Sequence, residues 1–205
     1  MNKKFLYLGV GVVVLVIMYF VFGGSTKIKN YPSSGTDIVA FGDSLIFGVG
    51  ATSDSTNFVS ILSRRIGKPI VNLGVSGNTT ADGLSRLNQL DKYKPKVVIL
   101  LLGGNDYLRK VPIDTTFTNL EKIIKNIQSR GAVVLLLGVR GGIINDKFDE
   151  RFEELAEKTQ SAYVSNVLDG LITKNEYMAD AIHPNDTGYA KIAARVYPVL
   201  YKLAE

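Results

Sequence analysis

Cysteine is absent from the 205-residue chain, and histidine occurs once, as His183. The first absence removes disulfides, thiolate metal ligands and a thiol nucleophile. The second removes any metal site that needs two imidazoles, while an all-oxygen site remains open. Runs of like charge are also missing. The 24 basic and 19 acidic residues are interspersed, so the formal net charge of +5 does not gather into a nucleic-acid surface. No G-x-x-x-x-G-K-[ST] loop is present to cradle phosphate, and GVGATS at 48–53 lacks the third glycine of a dinucleotide fingerprint. The G-x-S-x-G elbow is absent too. No metal and no cofactor is therefore expected.

What is present is a hydrophobic content of 46% against 21% charged residues, enough for one compact domain with a real core. The N-terminus stands apart. After Lys3 and Lys4, residues 5–24 carry no charge for 20 positions. As a helix this run spans about 30 Å, the thickness of a bilayer core. It exceeds the usual length of a signal-peptide core and has no A-x-A site, so residues 1–24 read as an uncleaved membrane anchor. Cleavage near Gly23, Gly24 and Ser25, giving a secreted protein, is the alternative. Lys3 and Lys4 favour a cytoplasmic N-terminus with the globular part outside the cytoplasm, a bias that Lys27 and Lys29 weaken. Residues 25–36 read as a short linker, and 37–205 as the folded domain, expected to be monomeric.

Within that domain, apolar runs at 37–42, 69–74, 96–103 and 132–138, and a weaker one at 162–165, have the continuous Val, Ile and Leu content of strands buried on both faces. Between them lie helical patterns. Phe58, Ile61, Leu62 and Ile66 precede Gly67 as a helix stop; Leu84, Leu87 and Leu90 form a second set; Phe117, Leu120, Ile124 and Ile127 end at Gly131; Phe148, Phe152 and Leu155 form a fourth. A final helix over 186–204 carries Tyr189, Ile192, Val196, Leu200 and Leu203 on one stripe, with a kink expected at Pro198. The alternation implies a parallel sheet between two helix layers.

Sites in such sheets form beyond the carboxyl ends of the strands. Three of the strands run into GDSLIFG at 42–48, NLGVSGNTT at 72–80 and GGNDYL at 103–108, and the lone histidine lies in DAIHPND at 180–186. A serine hydroxyl needs a base within hydrogen-bond reach, and that base needs a carboxylate to orient it. Ser44, His183 and Asp180 supply such a set: Asp180, three residues before His183, can hold Nδ1–H and leave Nε2 facing the serine. Pro184 keeps His183 out of helical backbone, so the ring is presented from an extended segment before a helix that begins near Asp186. Taken singly, each is an ordinary turn or cap residue; together they form a site. Acyl transfer also needs donors to a developing oxyanion. Gly74 or Gly77 can bring a backbone N–H close, and Asn105 can add a side-chain amide. Asp43 and Asp106 are a conceivable cation pair but read better as loop-ordering acceptors of backbone N–H groups.

FGDSL at 41–45, VSGNTT at 75–80, GGND at 103–106 and DAIHP at 180–184, in that order, resemble the four blocks of the SGNH, or GDSL, hydrolases. The likeness runs from about residue 37 to the C-terminus and favours the bacterial group of acyl-CoA thioesterase I, lysophospholipase L1 and arylesterase. It implies a flavodoxin-like α/β/α sandwich with a five-stranded parallel sheet. It also implies Ser44 as nucleophile, His183 as base, Asp180 as its orienter, and an oxyanion hole of Ser44, Gly77 and Asn105. Asn78 departs from the pattern, since close relatives often carry Asp there. The implied activity is hydrolysis of carboxylic esters or thioesters, with a small-molecule acyl ester as partner. Lysophospholipids or aryl esters are expected substrates. Leu45, Ile46, Phe47, Tyr107, Leu108, Val111 and the loop 140–146 are candidates to flank the acyl chain. The alternatives are a carbohydrate O-acetylesterase acting on cell-wall or exported glycans, and a membrane-tethered binding module without turnover.

Overall fold

A computed structural model describes residues 27–139 and 147–205. The hydrophobic run at 5–24 and the loop 140–146 lie outside the described residues.

Strands β1 (Asp37–Gly42), β2 (Ile70–Gly74), β3 (Pro95–Leu101), β4 (Val133–Leu137) and β5 (Ala162–Val164) form one parallel sheet in the order β2-β1-β3-β4-β5. The helices are α1 (Ser44–Phe47), α2 (Phe58–Ile66), α3 (Thr80–Ser85), α4 (Gly104–Leu108), α5 (Ile113–Ser129), α6 (Lys147–Thr159) and α7 (Asp186–Ala204). Helix α2 packs against α7, while α5 packs against both α3 and α6, which gives one helix layer on each face of the sheet. Val39, Phe41, Val97 to Leu102 and Val133 to Leu137 are buried from both sides. That double coverage is why these strands show no polar alternation. Strand β2, at an edge, is only half-buried.

The strand order reverses between β1 and β3, so their carboxyl ends open a crevice there. Strand β3 stops at Leu101, short of the expected 103, because Gly103 turns the chain at φ +117°. Helix α1 then fits against the strand ends only because two positions lack a side chain. A Cβ at Gly74 would lie 2.2 Å from the Phe47 nitrogen, and one at Gly42 would lie 2.6 Å from Cγ1 of Ile46 and 2.2 Å from the Leu101 oxygen of β3.

One expectation needs correction, and two regions gain detail. Leu84, Leu87 and Leu90 do not share one α-helix: α3 ends at Ser85, and a 3₁₀ segment follows over Leu87–Lys92. A repeat of three residues is the 3₁₀ period rather than the α period, and the spacing of these leucines already carried it. The last helix covers the expected 186–204, running across Pro198, and its N-cap is Asn185, which accepts from the Gly188 N–H at 3.1 Å. Finally, residues 27–36 have no regular structure but are docked. Lys29 N–H donates to Gln160 O, the Asn30 amide to Gln128 O and Ala132 O, and the Ser33 hydroxyl to Gly131 O. Those acceptors precede β4 and β5, so the segment lies along the amino ends of the strands, opposite the crevice.

Candidate active site

The site starts where β1 ends. Asp43 caps α1, accepting the Leu45 N–H at 3.0 Å, and Gly48 closes the single turn in a left-handed conformation. Ser44 is thereby fixed as the first residue of α1, nearly buried, at the carboxyl edge of the sheet.

Its partner arrives on the loop before α7. Met178 pairs with Pro184 in an antiparallel bridge, and Ala179 N–H donates to His183 O, which folds 179–183 into a tight excursion. One Asp180 oxygen accepts the N–H groups of Ile182 and His183 at 2.9 and 2.8 Å. Its other oxygen lies 2.7 Å from His183 Nδ1. The far side of the ring places Nε2 3.1 Å from Ser44 Oγ. With the proton on Nδ1 donated to Asp180, Nε2 presents its lone pair to the serine hydroxyl. The hydrogen bond from His183, joined by the Ile182 N–H, holds the Asp180 carboxyl down at about 2, so it stays charged across the neutral range.

The segment 48–53, set aside as a failed dinucleotide motif, turns out to seat this loop through Val49, Gly50 and Thr52. A Cβ at Gly50, where φ is +94°, would meet Pro184 O at 2.4 Å and the His183 Cβ at 3.2 Å. Asp186 accepts from the Thr52 backbone N–H and hydroxyl, and Tyr189 donates its hydroxyl to Val49 O at 2.6 Å. Two glycines two apart, just after the serine turn, were the available signal.

Geometry also separates Gly74 from Gly77. The Gly74 N–H is already donated to Asn72 Oδ1 at 2.9 Å. Gly77 sits at φ +79°, in a turn closed by the Asn78 N–H on Val75 O, and its own N–H donates to no group among the described residues. Asn105 Nδ2 gives one hydrogen to Asn78 O at 3.0 Å, and its second is left for a ligand. Ser44 N–H, in the first turn of α1, is likewise unclaimed among the described residues. Three N–H donors are thus uncommitted among the described residues, and two of them, at Ser44 and Asn105, belong to residues lining one cleft.

The two aspartates bind backbone. Asp106, buried, accepts from the Thr80 N–H at 2.8 Å and the Thr80 hydroxyl at 2.5 Å, tying α4 to α3. Asp43 is pushed up to about 7, chiefly by burial and further by the Asp106 charge, against the pull of the Leu45 N–H and Arg86. Among the described residues no group of three acidic or histidine side chains is placed to hold a metal ion.

Ser44, His183 and Asn105 open into a cleft of about 300 Å³. Its walls are mostly aliphatic and aromatic: Leu45, Tyr107, Leu108, Leu168, Ile172 and Ile182. Of the expected flanking residues, Ile46 lies instead in the core, and Phe47 and Val111 lie outside the cleft. The wall formed by 168–173 escaped sequence reading because it follows β5 in irregular chain with no periodicity.

Residues 40–191 match the model of the GDSL-like Lipase/Acylhydrolase family. The chain is similar to the Arylesterase of Vibrio mimicus, with 36% identity over 140 residues, covering 65% of this chain and 70% of that relative. It is similar also to Esterase TesA of Pseudomonas aeruginosa, 31% identical over 178 residues, 81% of this chain and 88% of the relative. A crystal structure of TesA superposes with a TM-score of 0.75 at 29% identity, over 82% of this chain and 99% of that one.

Asp43 makes stability depend on pH. Its carboxyl titrates near 3.8 when unfolded and about 7 when folded, so between these values the folded state holds the extra proton and stability falls as pH rises. Asn keeps the capping oxygen without the charge. The melting temperature of Asp43→Asn relative to wild type is therefore expected to rise by several degrees from about pH 5 to about pH 8. An unchanged difference across that range would show that Asp43 carries no such penalty.

Proposed function

The chain belongs to the GDSL-like lipase/acylhydrolase family, and on that premise we propose that it is a serine hydrolase of carboxylic esters or thioesters working through an acyl-enzyme on Ser44. The observation that carries this reading is the 3.1 Å contact between His183 Nε2 and Ser44 Oγ, with Asp180 2.7 Å from Nδ1 on the other side of the ring.

In this mechanism Ser44 Oγ attacks the substrate carbonyl carbon while its proton passes to His183 Nε2. The carbonyl oxygen becomes an oxyanion held by the Ser44 and Gly77 N–H groups and the Asn105 amide. Asp180, ionised at the working pH, stabilises the imidazolium without taking the proton. His183 then protonates the departing alkoxide or thiolate, leaving the acyl group on Ser44. A water molecule gives a proton to the same nitrogen as it attacks the acyl carbon, and collapse of the second tetrahedral intermediate returns that proton to Ser44 and frees the acid.

The apolar walls of the cleft favour an acyl chain over an acetyl group, which sets lysophospholipids and other lipid or aryl esters ahead of acetylated glycans. The uncharged run at 5–24 supports a membrane anchor, with the catalytic domain outside the cytoplasm. Residues 29–33 are bound along the amino ends of the strands, so a tether entering there approaches the domain from the side opposite the cleft. In that arrangement substrate arrives from the aqueous side.

With p-nitrophenyl esters and the full chain in detergent, kcat/KM is expected to rise from acetyl to octanoyl, and Ser44→Ala and His183→Ala to lose about 10⁴-fold or more. Wild-type-like rates in either variant would overturn the mechanism, and a preference for acetyl would return the glycan O-acetylesterase reading. Protease added to intact spheroplasts should degrade the catalytic domain; protection until lysis would contradict the proposed location.

A further inference from the structure

The loop that carries Gly77 has little to hold it by packing. Between Gly74 and Thr79, Val75 is 41% exposed and Ser76 is also exposed, so no buried side chain anchors the turn. Catalytic donors nevertheless have to be held within about 0.5 Å of their working positions. Hydrogen bonds must supply that precision: Arg109 Nη2 donates to Gly77 O at 2.8 Å and the Val75 N–H to Gly42 O, while one side chain that catalysis itself does not use ties the turn to both neighbouring strand ends.

That side chain is Arg86, half-buried at the C-terminal end of α3. Its Nη2 donates to Gly42 O at 2.7 Å, Nη1 donates to Leu73 O at 2.9 Å, and Nε donates to Asn78 Oδ1 at 2.6 Å. A further bond runs from Nη1 to Gln89 Oε1, and the guanidinium carbon lies 4.0 Å from the centroid of the Phe41 ring. One planar fork thus joins the end of β1, the end of β2 and the Gly77 turn. Gly42 precedes the Asp43–Ser44 pair, and its carbonyl also accepts the Val75 N–H at 3.0 Å. Asn78 follows Gly77, and its carbonyl is the acceptor that fixes the Asn105 amide. The chain of contacts from Arg86 through Asn78 to Asn105 therefore reaches all three donors proposed for the oxyanion.

We propose that Arg86 is a positioning residue of the oxyanion hole, setting the spacing of the Ser44 N–H, the Gly77 N–H and the Asn105 amide without touching substrate. The role rests on the acyl-enzyme reading given above. It also gives the amide of Asn78 a task, since Oδ1 is the acceptor for Nε. Lysine carries its three donors on a single nitrogen, so it cannot reproduce the three separate nitrogens with which the guanidinium meets these acceptors.

The test is a double-mutant cycle on the full-length protein with p-nitrophenyl octanoate. Arg86→Gln, Asn105→Ala and the double variant are compared with wild type, and melting temperatures are recorded beside kcat and KM. Arg86→Gln is expected to lower kcat about 10- to 100-fold with KM within about twofold, as loss of a transition-state contact does. Arg86→Lys should recover little of it. The double variant should fall no more than about threefold below Asn105→Ala alone, because both changes spoil one unit. Losses that multiply, a change confined to KM, or an unaltered kcat would overturn the inference. If Arg86→Gln fails to fold, Asn78→Ala removes only the Nε acceptor and should show the same coupling to Asn105; independent losses there overturn it as well. Ser44→Ala separates the two levels. Activity surviving in Ser44→Ala defeats the acyl-enzyme reading and the inference together, whereas Ser44-dependent activity indifferent to Arg86 defeats the inference alone.

Discussion

Strand β1 is covered on both faces by helices and on both edges by β2 and β3, so a polar side chain can reach solvent only at its two ends, as Asp37 does at the amino end and as the turn after Gly42 does at the carboxyl end. The serine lies there. Because β2 and β3 lie on opposite sides of β1, their following loops diverge and leave a crevice lined by Ser44 and Asn105. Burial of the sheet and placement of the reacting groups are thus one constraint. Glycine at positions 42 and 74 lets α1 sit directly on the strand ends, where any Cβ would strike backbone atoms.

The site itself is assembled from hydrogen bonds to main chain more than from packing. Asp180 folds its own loop by accepting two backbone N–H groups before it reaches the imidazole. Asp106 fastens α4 to α3 through Thr80, and Arg86 fastens the ends of β1 and β2 to the Gly77 turn. Rigidity obtained in this way has an electrostatic cost at Asp43, a carboxyl buried beside Asp106 and only partly relieved by Arg86. The cleft side of the site is different in character. Its aliphatic walls offer an acyl chain contact without direction, so orientation is left to the polar groups at one end.

Sequence alone located the five strands to within two residues at each end, because doubly buried strands read as unbroken Val, Ile and Leu. It also paired Ser44 with His183 and Asp180, since a single histidine beside an aspartate three residues away leaves little choice. Spacing left Gly74 and Gly77 open and the resemblance of the blocks favoured Gly77; the backbone adds the physical reason, since the Gly74 N–H is already spent on Asn72. Gly50 was legible only as a glycine, not as the clearance for the Pro184 carbonyl. Arg86 left no signal at all, because its acceptors are two carbonyls and two side-chain amides 3 to 44 positions away, and carbonyl acceptors leave no mark in residue type. The far wall of the cleft was hidden for a related reason, lying in chain that has neither a 2.0 nor a 3.6 period.

The central claim is that Ser44 is the group acylated during turnover, activated by His183. Treating the full chain with an alkyl fluorophosphonate and mapping the adduct by peptide mass spectrometry addresses it most directly, since phosphorus on the nucleophile stalls as a stable analogue of the tetrahedral intermediate. The account predicts one adduct, on Ser44, formed in step with loss of esterase activity and much more slowly in His183→Ala. An adduct on another residue, or complete inactivation with Ser44 unmodified, would contradict it.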